Sequence, residues 1–164
     1  MATVAELHAD VAVLAPLLGA WAGAGSGEYP TIEPFDYTEE VTFGHVGKPF
    51  VAYGQRTRAA DDGRPLHAET GYLRVPTPGK VEWVLAHPTG ITEILQGTLT
   101  VLDDGLELDL QSTTIARTDS AKEVDALRRW FKLERDTLSY SVRMAAVGVP
   151  LRHHLSAALH RKDA

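Results

Sequence analysis

The chain has 164 residues, no cysteine and a formal net charge of −6, which suits one domain spanning 1–164 with a sizeable core. Without thiols there are no disulfides, thiolate metal sites or cysteine nucleophiles, and the acidic balance argues against nucleic acid or an anionic membrane as a partner. No apolar run approaches a membrane span, and the opening MATVAELHAD lacks the basic start and apolar core of a secretory signal, so the expected location is the cytoplasm.

The first element is a helix. Val4, Leu7, Val11, Leu14 and Leu18 recur at helical spacing. Thr3 and Glu6 fit a capping box, and Pro16 and Gly19 mark the end. From Gly19 onward the chain reads as β. Alternation and turn signals place about ten short strands, near 19–26, 38–46, 49–58, 66–75, 80–87, 91–101, 105–113, 122–134, 137–146 and 150–161. Asp62-Gly63, Asp104-Gly105 and Glu134-Arg135-Asp136 sit where hairpins turn. Leu106, Leu108 and Leu110 face one way, with Glu107, Asp109 and Gln111 opposite; Leu138, Tyr140, Val142 and Met144 alternate in the same manner. Hairpins in series predict an antiparallel meander, and closure removes its edges. Ten strands leave room inside for a ligand, with the helix plugging one end. An all-β sandwich is the structural rival.

Three segments carry chemical signal. Gly19, Trp21, Gly23 and Gly25 punctuate the first strand, followed by Tyr29, Pro30 and Thr31. Repeated glycine in a strand marks close backbone approach or a bend. Structurally that is a curved strand with Trp21 in the barrel floor; functionally it is room for a flat ligand beside Tyr29–Ile32. No lysine follows the glycines, so a phosphate loop does not fit. The last strand carries His153 and His154. Alternation puts His154 with Ser156, Ala158 and His160, and His153 with Leu155, Ala157 and Leu159. Small neighbours favour space at His154, leucines favour the interior at His153, and the pattern alone does not choose. Arg129 shares a face with Leu127, Phe131 and Leu133. It either snorkels to the rim or meets a ligand carboxylate at the mouth. His45, His67 and His87 fall at strand ends with no zinc-like spacing, no serine-hydrolase elbow is present, and Glu39 and Glu40 read as a solvated face.

The glycine–tryptophan run, Tyr29-Pro-Thr31-Ile, Pro34-Phe-x-Tyr37-x-Glu-Glu40, His45-Val-Gly-Lys-Pro49, Leu66-His-x-Glu-Thr-Gly71-Tyr, Ala121-Lys-Glu123 and His154-Leu occur in one ordered series. Together they resemble the nitrobindin family, in its actinobacterial form, over nearly the whole chain. The resemblance implies a fatty-acid-binding-protein-like, ten-stranded antiparallel β-barrel with a short N-terminal helix. It implies haem b held through iron by His154 rather than His153, with Thr31 near the haem and Arg129 at its edge. The implied activity is isomerisation of peroxynitrite to nitrate, with nitric oxide as a further ligand and no catalytic residue beyond the iron. Rival functions are a carrier of a fatty acid or other apolar molecule, and a nitric oxide sensor or store. The sequence leaves the oligomeric state open, a homodimer included.

Overall fold

The computed structural model describes residues 2–162. Near the start, Ala9–Leu17 form a helix of 3-10 type. Val11, Leu14 and Leu17 recur every three residues, the period at which 3-10 side chains eclipse, and all three are buried. Pro16 lies inside this helix, where its ring and missing N–H oppose an α-helical continuation. The expected capping box is absent. Thr3 and Glu6 precede the helix, Val4 is exposed, and His8 caps it by accepting the Asp10 N–H at Nδ1, 3.1 Å away.

Ten strands follow: β1 (Gly19–Tyr29), β2 (Ile32–Gly44), β3 (Val51–Ala59), β4 (Pro65–Arg74), β5 (Lys80–His87), β6 (Ile91–Leu102), β7 (Gly105–Arg117), β8 (Val124–Glu134), β9 (Thr137–Ala146) and β10 (Val149–Arg161). Each pairs antiparallel with its sequence neighbours, and β1 closes against β10 to complete a barrel. The sandwich is thereby excluded. Alternation sets the register. Leu106, Leu108 and Leu110 of β7 are buried opposite Leu133, Phe131 and Arg129 of β8. Burying each such leucine is worth about 1.5–3 kcal/mol, so a one-residue slip, which would turn all three outward, is strongly disfavoured.

The barrel has one closed and one open end. The helix seals the end that holds Trp21, whose Nε1 donates to the Leu17 carbonyl at 2.8 Å. Arg161, from the end of β10, donates to the Pro16 and Leu18 carbonyls at 2.7 and 2.8 Å, satisfying the helix C-terminus. Its guanidinium also lies 4.3 Å from the Trp21 ring centroid. The β1 glycines serve close packing. A Cβ at Gly23 would strike the Ala158 carbonyl of β10, and one at Gly25 would stand 2.5 Å from the Tyr37 ring. The space they leave is filled by protein, with the Phe35 ring lying over Gly27 in the same way. The open end collects the end of β1, the β4 and β10 starts and the β5 end. Among the described residues no helix is long and apolar enough to cross a membrane.

Candidate functional site

The open end leads into a cavity of about 1310 Å³ whose wall includes Phe35, Ile91, Leu127, Val142, Met144 and Leu155. Its size is above the usual small-molecule range of about 300–1,000 Å³. Its lining also carries charged residues, Glu33, Asp36, Asp61, Arg64 and Lys122 among them, and three further polar features bear on function.

The first is His154. In β10 the inward side chains are Leu155, Ala157 and Leu159, which pack on the core, while Ala158 and His160 are exposed. Strict alternation would turn His154 outward with them. The pairing of β10 with β9 shifts between His153 and Leu155, partnered by Arg143 and Val142. His154 is the extra residue of this bulge, and both it and Leu155 line the cavity. His153 is exposed. The expectation that Ser156 and Ala158 make room beside His154 inside the barrel is therefore overturned, because their face is the outer one. His154 reaches the cavity by the bulge. Its Nδ1 lies 2.9 Å from the Glu28 carbonyl. A carbonyl only accepts, so Nδ1 carries the proton and Nε2 keeps a lone pair. The Tyr29 ring stands edge-on to the imidazole, centroids 5.3 Å apart. Tyr29 is itself fixed, accepting the Ala146 N–H at 2.9 Å and donating to the Met144 carbonyl at 3.1 Å. Burial lowers the His154 pKa, against the opposing hydrogen bond to Glu28, and so favours the neutral ring.

The second feature surrounds Arg129. The guanidinium is buried and bidentate to Glu69, at 2.9 and 3.2 Å, and Nη2 also donates to Glu93. Snorkelling to the rim is overturned, since its acidic partners lie inside, on β4 and β6. Tyr53 donates to Glu69 at 2.8 Å, and His87 bonds Glu93 at 2.7 Å. Burial opposes charge on both carboxylates, but Arg129 and the histidines outweigh it and hold both below the ordinary range.

The third feature is Glu39, buried rather than solvated. It accepts from Gln55 at 2.6 Å and from Tyr140 at 3.0 Å, while Tyr140 meets the Tyr37 hydroxyl at 2.6 Å. Burial, only partly offset by these donors, raises its pKa to about 7. Glu40 points outward to Arg56, as expected.

Thr31 is exposed in the two-residue turn between β1 and β2 and does not line the cavity, whereas Ile32 beside it does. Sequence reading missed Glu39, His67, Glu69, His87 and Glu93. The signal was their parity: each shares alternation with inward apolar residues of its strand, as Glu39 does with Tyr37, Val41 and Phe43.

Residues 10–161 match the family model described as a THAP4-like, heme-binding beta-barrel domain. The chain is 65% identical over 157 residues to peroxynitrite isomerase 1 of Mycolicibacterium paratuberculosis, covering 96% of this chain and 98% of that one. It is 61% identical over 167 residues to the peroxynitrite isomerase of Nocardia farcinica, covering 98% and 99%. The crystal structure of Rv2717c from M. tuberculosis superposes with a TM-score of 0.94 at 57% identity, covering 96% of this chain and all of that one.

Proposed function

The chain belongs to the family of THAP4-like, haem-binding β-barrels, and from that premise we propose that it is a haem-dependent peroxynitrite isomerase whose iron is held by His154. The observation that carries the assignment is the His154 tautomer. Its Nδ1–H is committed to the Glu28 carbonyl, so the nitrogen left for a metal is Nε2, on a ring that lines the cavity. Metal-binding histidines are oriented by such hydrogen bonds. The cavity has the volume and apolar lining a porphyrin needs. With no cysteine in the chain there is no thioether attachment, which supports haem b, held without covalent links to its ring. The reading treats 1–164 as one domain, supported by the family match over 10–161.

When bound, haem supplies an iron at which peroxynitrite is rearranged to nitrate, and at which nitric oxide is proposed to bind as well. The protein holds one imidazole neutral and immobile, with Tyr29 against its side and Glu28 behind it. Phe35, Ile91, Leu127, Val142, Met144 and Leu155 supply apolar surface to the cavity wall. Arg129 keeps its proposed place at the haem edge as part of the cavity wall. It is not a free cation there, because Glu69 and Glu93 already match it. The same pairing disfavours the fatty-acid carrier, which would need that charge for a carboxylate. Thr31 is proposed to meet haem from the turn at the mouth.

The test is a ferric haem titration followed by peroxynitrite decay, with apo and holo protein at equal concentration. One equivalent of haem should give a ligated absorption spectrum, and only holo protein should accelerate conversion to nitrate. Equal rates for the two forms would overturn the assignment.

A further inference from the structure

A second group of donor atoms lies across the barrel from His154. β5 is five strands from β10 in either direction around the ring. Here His67 Nε2, His87 Nδ1 and Glu69 Oε2 converge at the open ends of β4 and β5. Their separations are 3.0 Å between the histidine nitrogens, 3.6 Å from His67 to Glu69 and 3.5 Å from His87 to Glu69. A tetrahedral zinc ion with bonds of about 2.0–2.1 Å sets its ligands about 3.4 Å apart. The triangle is thus close to that required, before any side chain moves.

The surroundings point the same way. Glu93 is fully buried, and its Oε1, which already accepts from Arg129, lies 2.7 Å from His87 Nε2 and accepts its N–H. Nδ1, the other ring nitrogen of His87, is the atom facing His67 and Glu69. A carboxylate behind a histidine in this manner is the usual outer partner of a metal ligand. Glu69 is likewise held by Tyr53 and Arg129 at Oε1, with Arg129 also donating to Oε2 at 3.2 Å. The 3.0 Å contact between His67 Nε2 and His87 Nδ1 is one that a shared proton bridges, and a metal would take that proton's place. The composition also favours a cation: two buried carboxylates, Glu69 and Glu93, share one guanidinium, and Glu93 Oε2 has no hydrogen-bond partner. His67 is about one-third exposed and gives access from the mouth.

We propose that His67, His87 and Glu69 form a binding site for a divalent transition-metal cation of the zinc class, on the wall of the same cavity opposite His154 and with its fourth position open to that cavity. Two imidazoles and one carboxylate suit such an ion. Calcium and magnesium, which take oxygen ligands, are disfavoured.

The test uses full-length apo-protein stripped with a chelator and titrated with cobalt(II), then with zinc in competition. The expected result is one equivalent of cobalt with the intense visible bands of a four-coordinate ion, displaced by zinc. His67→Ala and His87→Ala should each weaken binding at least a hundredfold, and Glu93→Gln about ten- to a hundredfold. His67 is the safest variant for folding because it is partly exposed. His154→Ala should leave cobalt binding unchanged while removing haem ligation, so failure here is distinguishable from failure of the haem assignment. No stoichiometric binding, pale six-coordinate bands, or undiminished binding in His67→Ala would each overturn the site.

Discussion

At His154 a backbone carbonyl settles which nitrogen is available. The Glu28 carbonyl can only accept, so the ring presents Nε2. His154→Ala should abolish the ligated ferric spectrum and sharply accelerate haem loss while the apo barrel keeps its circular dichroism. His153→Ala, on the exposed side, should change neither. The reverse result would mean that the bulge does not aim His154 inward. Arg129 poses a different question, because removing it strands Glu69 and Glu93 without their cation. Breaking a buried pair costs about 3–5 kcal/mol. Arg129→Ala should therefore lower the urea midpoint substantially at pH 7, and less at pH 4, where the stranded carboxylates can protonate. An equal loss at both values would show that packing, not charge, is what Arg129 supplies.

At the scale of elements, β10 shows how one extra residue changes a strand's chemistry. Its alternation was legible, but the insertion at His154 was not, because a bulge depends on which residues of β9 it faces. The resemblance to the family points to His154, which the bulge sets in the cavity wall, whereas the argument from small neighbours put Ser156 and Ala158 on the wrong face. The turn just before β10 holds local strain. Val147 has φ 48° and Gly148 φ 80°, both in the left-handed region. A two-residue hairpin of this kind favours Asn-Gly, and a β-branched residue at the first position is strained by about 1–2 kcal/mol. Val147→Asn should raise the urea midpoint by the equivalent of about 1 kcal/mol without changing the slope. No gain, or a loss, would show that the valine's other contacts outweigh the strain.

For the whole molecule, the buried carboxylates give stability opposite dependences on pH. Glu39 has a folded pKa of about 7, above its ordinary 4.5, mainly through burial. Tyr37, Tyr140, Gln55, Glu69 and Arg129 surround it. Its contribution is full below pH 4.5 and is lost as pH rises through about 7. Glu69 and Glu93, held low, contribute above the ordinary carboxylate range and lose that contribution in acid. Urea unfolding across pH should show Glu39→Gln losing less stability than the parent between pH 5 and 8, since glutamine imitates the protonated acid. Parallel profiles would refute the raised pKa. The sequence by itself determined the closed meander, most strand positions and the family, because period-two burial and hairpin turns are local and repeat along the chain. It did not determine the 3-10 geometry of the helix, the bulge at His154 or the interior clusters of Glu39 and of Arg129 with His67, Glu69, His87 and Glu93. Glu69 meets Arg129, and Glu39 meets Tyr140, across 60 and 101 residues of chain, and only the curl of the sheet into a barrel makes these inward-facing groups each other's partners.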